Sequence, residues 1–280
     1  MKKIHLSLPK YCFMNRRYLL LTVFLFSCAS QKNLNTGTVQ QNSLTVGGRL
    51  FTSVFQQQAA EYKALCFQAY NIAALRLDQA IGSTVSSKPK AVITDIDETV
   101  LDNSPYSVHR ALEGKDYESI SWVDWTARAK ADTLAGALTF FKYAASKNVE
   151  VFYLSNRAEK ERVGTLENLK KFGFPNADDA HLILKTDVSS KEGRRQKITE
   201  TYDVLLLIGD NLADFSSLFD KKTTAERTQN VQSIAYEFGK KFIVLPNANY
   251  GDWESALYFY DYKRTPAQRD SILKSVLKNY

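Results

Sequence analysis

Apolar runs and segments of helical spacing alternate along most of the chain. The pattern predicts a long helix from about residue 51 to Gly82, an irregular stretch over 103–132, and then alternating strands and helices. The predicted strands cover 90–95, 149–154, 181–184, 204–208 and 241–245, and the predicted later helices cover 134–146, 163–172, 190–201 and 266–277. Such alternation is typical of an α/β fold with a doubly wound parallel sheet. With 280 residues, the chain can also carry a small, mostly helical accessory lobe.

Polar clusters follow three of these strands. They lie at 95–99, 155–157 and 210–214, directly after apolar runs. Because parallel strands present their carboxyl ends at one edge of the sheet, we expect the three clusters to converge there.

The N-terminus has the layout of an export signal. Five Lys and Arg residues precede the short apolar run Tyr18–Phe26, which is too short for a comfortable membrane span. Leu25-Phe26-Ser27-Cys28 is similar to a bacterial lipobox and predicts acylation at Cys28, which would attach the protein to the membrane as an outer-membrane lipoprotein of the cell envelope. Cleavage as an ordinary signal peptide and an uncleaved anchor are the alternatives. The predicted domains are therefore a signal at 1–28, a flexible tether at 29–48 and a globular domain at 49–280.

The signal changes the interpretation of charge and cysteine content. The formal net charge of +7 falls to +2 without residues 1–27, which hold five basic and no acidic residues, so the composition gives no support for binding a nucleic-acid polymer. Cys66 is the one cysteine that remains after Cys12 and Cys28, so an intramolecular disulfide is excluded in the mature chain, and its place on an apolar stripe predicts a core residue.

Asp95 and Asp97 carry the first candidate chemistry. One carboxylate can attack phosphorus to form an acyl-phosphate, and the other can protonate the leaving group and later activate water. The charge repulsion between carboxylate and phosphate calls for a divalent cation, and Mg²⁺ prefers oxygen ligands. On its own, the Asp-x-Asp-x-Thr pattern fits a solvated turn or helix cap equally well.

The other clusters add groups of the same kind. Asp210 and Asp214 could hold the cation, and the hydroxyl of Ser155 with the neighbouring Asn156 could bind a phosphoryl oxygen. Ser189 and Glu192 have capping-box spacing, which predicts Lys191 in the first turn of a helix, where a cation suggests a role in binding phosphate. Lys185 is the competing lysine. Taken singly, each of these groups is equally compatible with an ordinary cap or surface residue.

The order of the motifs is more specific than any one of them. Asp95–Tyr106 (DIDETVLDNSPY), Leu154–Arg157 (LSNR), Ser190-Lys191, Gly209–Phe215 (GDNLADF) and Leu245–Gly251 (LPNANYG) occur in this sequence. The chain thereby resembles the class C bacterial acid phosphatases, the lipoprotein acid phosphatases and nucleotidases of the haloacid-dehalogenase (HAD) superfamily. The resemblance extends over roughly residues 50–280.

The resemblance implies a function and a role for each residue. It implies an acid phosphatase that depends on Mg²⁺ and hydrolyses small phosphomonoesters, including nucleoside monophosphates and nicotinamide mononucleotide. It leaves a homodimer open. The implied roles are Asp95 as nucleophile and metal ligand, Asp97 as acid/base and main-chain metal ligand, Asp210 and Asp214 at the metal, Ser155 and Lys191 at the phosphoryl group, Asn156 at the substrate, and Trp122 and Tyr250 as an aromatic clamp for the base. Trp122 and Tyr250 could instead be partly buried core aromatics.

Two other functions remain open from the sequence. A lipoprotein that binds haem or a nucleotide without turnover is one, although His109 and His181 are the only histidines outside the signal, so axial ligands for haem are scarce. A phosphotransferase that passes the phosphoryl group to an acceptor alcohol is the other.

Overall fold

The computed structural model describes residues 43–280, which contain ten α-helices and seven strands. The strands are β1 (Lys90–Thr94), β2 (Leu101–Asp102), β3 (Asp132–Thr133), β4 (Val149–Ala158), β5 (Leu182–Lys185), β6 (Asp203–Gly209) and β7 (Phe242–Val244). The helices are α1 (Leu44–Gln58), α2 (Ala60–Ser83), α3 (Ser104–Leu112), α4 (Ser119–Ala127), α5 (Ala137–Ser146), α6 (Arg162–Phe172), α7 (Glu192–Thr201), α8 (Thr224–Ser233), α9 (Asp252–Leu257) and α10 (Pro266–Val276). Within this range, the helices lack an apolar stretch long enough to cross a bilayer.

Five of the strands form one parallel sheet, in the order β5-β4-β1-β6-β7. Strands β2 and β3 form a separate antiparallel pair. The chain winds outward from β1 to β5, then returns to β6 and winds to the other edge. The predicted doubly wound α/β fold is therefore confirmed, and its switch point lies between β1 and β6, where ligands bind in such sheets.

Both faces of this sheet are covered, as the continuous apolar strands require. Along β1, Val92 packs into the larger core with α2 and α5, while its neighbours Ala91 and Ile93 pack into a smaller core with Ile198 of α7. The predicted core position of Cys66 is confirmed, because its thiol is buried in the larger core and forms no disulfide.

The N-terminal prediction is wrong in two respects. Residues 44–48, assigned to the tether, are the first residues of α1. Ser43 caps the N-terminus of this helix, because its hydroxyl oxygen accepts a hydrogen bond from the Val46 amide. The long predicted helix is two helices, because Ala59 has an extended backbone with ψ 128°. The signal at 1–28, with Cys28, and the tether up to residue 42 lie outside the described residues.

Several other boundaries differ from the prediction. Residues 103–132, predicted to be irregular, contain α3 and α4, and α8 and α9 were not predicted at all. Strand β4 continues past its predicted end to Ala158. Val163, predicted to face the core, is exposed. Helices α4 and α8 have no regular apolar stripe, and α3 and α9 are only nine and six residues long, so periodicity did not separate these four helices from loops.

Helix α6 approaches α4 with almost no space between the two backbones. A Cβ atom added at Gly164 would lie 2.4 Å from the carbonyl oxygen of Thr126. Gly193, in the first turn of α7, has nothing within 4 Å of the same position. A comparison of alanine substitutions at these two positions therefore distinguishes the effect of close helix packing from the effect of helix propensity.

We predict opposite effects of alanine at these two sites. Gly164→Ala should lower the free energy of unfolding by about 1–3 kcal/mol, because the added methyl group forces the helices apart. The matched control Gly193→Ala should raise it by up to about 1 kcal/mol, through helix propensity alone. Urea denaturation measures both, and equal stability of the two variants would contradict the packing assigned to Gly164.

Candidate active site

Asp95 lies at the switch point of the sheet, directly after β1. Its amide N–H donates to the carbonyl oxygen of Ile208, at 2.9 Å, so β6 fixes the backbone where β1 ends. Asp210 and Asp214 follow β6, and one carboxylate oxygen from each of the three aspartates lies within 4.8 Å of the others. The predicted convergence of the first and last polar clusters is thus present in the structure.

Lys191 reaches into this acidic cluster from the N-terminus of α7. Its Nζ donates to Asp95 Oδ1 at 2.5 Å and lies 2.7 Å from Asp214 Oδ1. The side chain is buried, which alone would lower the pKa of the ammonium, but the two carboxylates outweigh this effect and raise the pKa. Lys185, the competing lysine, is the last residue of β5.

The predicted capping box before α7 is not formed. Glu192 is the first residue of the helix, and its carboxylate accepts from Arg195 and from the amide of Ser217 instead of from Ser189. Lys191 is itself the cap residue. The prediction that it lies at this helix N-terminus is nevertheless correct, because its backbone occupies the position immediately before Glu192.

Asp210 is held by two donors from different parts of the chain. The hydroxyl of Thr99 donates to one carboxylate oxygen at 3.0 Å, and the amide of Asn247 donates to the other at 2.8 Å. Burial and the nearby Asp214 and Asp95 raise the pKa of Asp210, although Asn247 opposes this shift. Burial also raises the pKa of Asp95, against the attraction of Lys191.

Asp214 is packed against the end of β6. It accepts the amide N–H of Asn211 at 2.9 Å, and a Cβ atom at Gly209 would lie 2.4 Å from its carboxylate. A side chain at position 209 would therefore displace Asp214 from the cluster.

This donor set fits a hard divalent cation. Three carboxylates and one ammonium leave a formal charge of −2, and carboxylate oxygens are the ligands that Mg²⁺ and similar ions bind. A cation bound at this cluster would stabilise the ionised forms of Asp95 and Asp210, which burial disfavours.

Asp97 is held apart from this cluster by different partners. Arg157, buried in the structure, binds its carboxylate with two nitrogens, Nη2 at 2.7 Å and Nε at 3.1 Å from Oδ1. The amide of Asn103 donates to the same oxygen at 2.8 Å, and the indole N–H of Trp125 fixes that amide by donating to its oxygen at 2.8 Å. The neighbouring acids Asp95 and Asp97 therefore have different counter-ions, Lys191 for Asp95 and Arg157 for Asp97.

Ser155 and Asn156 lie inside β4 instead of after it. Ser155 is fully buried, and its hydroxyl oxygen accepts the amide N–H of Arg157 at 3.1 Å, while its carbonyl accepts from Arg194. The side chain of Asn156 lines the cavity and accepts from Arg194 at 2.6 Å. Their roles toward a phosphoryl group stay predictions.

Trp122 and Tyr250 line one cavity of about 1130 Å³, together with Asp95, Asp97 and Lys191. Trp122 packs edge-on against Tyr106, with ring centroids 5.0 Å apart. The hydroxyl of Tyr250 donates to Glu98, and burial followed by repulsion from Asp97 raises the pKa of this glutamate to about 8.

Several functional contacts could not be anticipated from the sequence. Asn103, Trp125 and Asn247 hold the acids but have no distinctive spacing relative to them. Glu98 has a positive φ of 57°, a rare conformation for a non-glycine residue, at the turn that follows the two acids. Asn103, Asn247 and Glu98 lie within the quoted motifs, which was the available signal, but the motifs did not indicate their partners; Trp125 lies outside them.

Known proteins resemble this chain in sequence and in fold. A family model described as HAD superfamily, subfamily IIIB (acid phosphatase), matches residues 23–253. Two solved structures of the class C acid phosphatase from Bacillus anthracis, one with tungstate bound, are 40% and 41% identical to this chain, each with a TM-score of 0.81. They match 84% and 85% of this chain and 99% of their own.

Two curated plant proteins also match, over shorter stretches. Acid phosphatase 1 of Solanum lycopersicum and the stem 31 kDa glycoprotein of Glycine max are each 28% identical, over 116 and 128 residues, or 39% and 44% of this chain. The chain spans about half the length of these relatives, 44% and 50%. Together with the bacterial structures, the matches confirm the resemblance drawn from the motifs.

We predict that Lys191 is needed to hold the metal-free acidic cluster together. Lys191→Met should lower the free energy of unfolding in EDTA by about 3–5 kcal/mol, because it leaves buried carboxylates without their cation. Lys185→Met, the matched control, should change it by less than about 0.5 kcal/mol. Urea denaturation at pH 7 measures both, and a similar stability of the two variants would contradict the assigned role of Lys191.

Proposed function

Because this chain belongs to the acid phosphatases of HAD superfamily subfamily IIIB, we propose that it hydrolyses phosphomonoesters with Asp95 as the nucleophile. The observation that carries the proposal is the contact of Lys191 with Asp95, in the wall of the cavity and beside Asp210 and Asp214. An ammonium at this position can neutralise both the attacking carboxylate and an incoming phosphoryl group.

In the proposed reaction, a carboxylate oxygen of Asp95 attacks phosphorus and the ester oxygen leaves. Asp97 gives its proton to that oxygen, and an aspartyl-phosphate remains on Asp95. Asp97 then takes a proton from water, whose oxygen attacks phosphorus and releases Asp95 and inorganic phosphate. Arg157 and Asn103 support this role, because they orient the Asp97 carboxylate.

The proposed metal is Mg²⁺, held by Asp95, Asp210 and Asp214, with the main-chain oxygen of Asp97 as a further ligand. When bound, it supplies positive charge that reduces the repulsion between the nucleophile and the phosphate. Tungstate is a tetrahedral oxyanion, and its presence in a related bacterial structure supports testing it here as an inhibitor.

The proposed substrates are nucleoside monophosphates and nicotinamide mononucleotide, with a base or pyridine ring between Trp122 and Tyr250. Both side chains line the cavity that holds the candidate nucleophile. Neighbouring groups restrain both rings, because Trp122 packs against Tyr106 and the hydroxyl of Tyr250 donates to Glu98. Stacking accepts many bases, because every base has a π-face.

The proposed location is the cell envelope, with the protein attached to the outer membrane through lipid on Cys28. The lipobox-like sequence at 25–28 supports this proposal.

We predict that activity depends on Asp95 and on a divalent cation. Asp95→Asn should lower kcat/KM for a chromogenic phosphate ester by about 10³-fold or more, because the amide is a poor nucleophile. EDTA should abolish activity, and added Mg²⁺ should restore it. Asp187→Asn, at an exposed aspartate lining the same cavity, is the control and should retain activity within about twofold. An Asp95→Asn protein with near-normal activity would disprove the mechanism.

We predict that the two aromatic rings determine nucleotide preference. Trp122→Leu and Tyr250→Leu should each raise KM for a nucleoside monophosphate by about 5- to 150-fold, the equivalent of about 1–3 kcal/mol of stacking. The KM for glycerol phosphate, which has no ring, should change little. The variants Trp122→Phe and Tyr250→Phe retain a ring and are the controls. Equal losses for both substrates would exclude the clamp, and transfer of phosphate to added nucleoside would indicate a transferase.

A further inference from the structure

Helix α1 turns its polar side toward the protein. The hydroxyls of Thr52 and Ser53 donate to the side-chain oxygen of Asn249, at 2.6 and 3.2 Å. Gln56 accepts a hydrogen bond from the Asn249 amide at 2.6 Å and donates one to Asp102 at 2.8 Å. Arg49, the one charged residue of the helix, binds Asp116 and Glu254. The inner side of α1 therefore combines buried Val46 with hydrogen bonds and ion pairs, and it is more polar than the inner side of a typical surface helix.

The outer side of the same helix is apolar. We call Leu44, Phe51, Val54 and Phe55 the α1 stripe, and their exposed fractions are 46%, 77%, 50% and 42%. Leu44, Phe51 and Phe55 share one face at helical spacing. Gly47 and Gly48 lie near them, with open space beside each. The four side chains of the stripe carry no charge, and Arg49 points inward; the nearest charge in contact with the stripe is the carboxylate of Asp270, which accepts the amide N–H of Leu44 at one end.

The size of the stripe favours one kind of partner. Its four side chains expose about 400 Å², given areas of 150–250 Å² for a large side chain. A stable protein interface takes about 800 Å² from each partner. An uncharged strip with two phenylalanines is more suited to shallow insertion at a lipid surface, where an amphipathic helix lies in the plane of the membrane.

The position of α1 in the chain points to the same partner. Leu44 follows the candidate acylation site Cys28 by sixteen positions. At about 3.3–3.6 Å per residue, a fully extended link holds α1 within about 60 Å of the lipid, and a relaxed link holds it closer. Among the helices of the described part, α1 is the first after this link.

We propose that the α1 stripe lies in the interface of the bilayer to which Cys28 is attached. The proposal rests on the lipid anchor proposed above, and it is independent of the proposed reaction. The globular domain would then have a fixed orientation relative to the membrane, instead of being attached to it only through residues 28–42. The polar side of α1 would connect that contact to Asn249, beside Tyr250 in the wall of the cavity.

The test uses the mature acylated protein in vesicles of phosphatidylcholine and phosphatidylglycerol. A fluorophore that responds to its surroundings is attached at Phe51→Cys, and the matched control carries it at Val163→Cys, on α6, where the native side chain is also 77% exposed. Cys66 is buried and should not react. We expect lipid-bound nitroxides to quench the label at 51 several-fold more than the label at 163.

Each alternative has its own result, and each would overturn the proposal. Equal quenching of both labels by a water-soluble reagent means that the stripe faces solvent. Shielding of the label at 51 in detergent means that protein covers the stripe. The covering segment is then a second copy of the chain if the protein is a dimer, or residues 29–42 if it is a monomer. Mass spectrometry that finds Cys28 unmodified removes the anchor. Phosphatase activity in the same samples tests the proposed reaction separately.

Discussion

The crowding of three carboxylates at the switch point of the sheet is the constraint around which the site is built. Asp95, Asp210 and Asp214 would repel one another strongly in a buried position without compensation. Lys191 supplies the compensating charge from α7, and Thr99 and Asn247 supply hydrogen bonds. Lys191, Thr99 and Asn247 thus offset the free-energy cost of burying these carboxylates in the folded protein.

The same constraint explains why two aspartates one residue apart differ in their surroundings. Lys191 is the counter-ion of both Asp95 and Asp214. Asp97 has its own counter-ion, Arg157, and accepts a hydrogen bond from the side-chain amide of Asn103. Because a strand places alternate side chains on opposite sides, residues at i and i+2 would normally point the same way. Strand β1 ends at Thr94, so Asp95 and Asp97 both lie beyond the strand and do not follow that regularity.

The sequence predicted the sheet well, because strands buried on both faces are continuous apolar runs such as 204–208. It predicted the meeting of Asp95 with Asp210, because parallel strand ends share an edge. It could not choose between Lys185 and Lys191, since both follow the predicted strand at 181–184 and the choice depends on where α7 begins. Helices α4 and α8 were missed because they carry no clear apolar period, and α3 was missed because its apolar face extends over only nine residues. The partners Arg157, Asn103 and Asn247 depend on tertiary distances that no local pattern encodes.

Asn249 obtains its side-chain partners from Thr52, Ser53 and Gln56, which lie 193–197 residues earlier in the chain. Closing so long a loop costs conformational entropy, which the hydrogen bonds at Asn249 help to offset. The acids are also joined across long stretches of chain, since Lys191 and Asp95 lie 96 positions apart. Helix α1 and the cavity wall that contains Tyr250 are therefore coupled, and loss of α1 would leave the side chain of Asn249 without these partners.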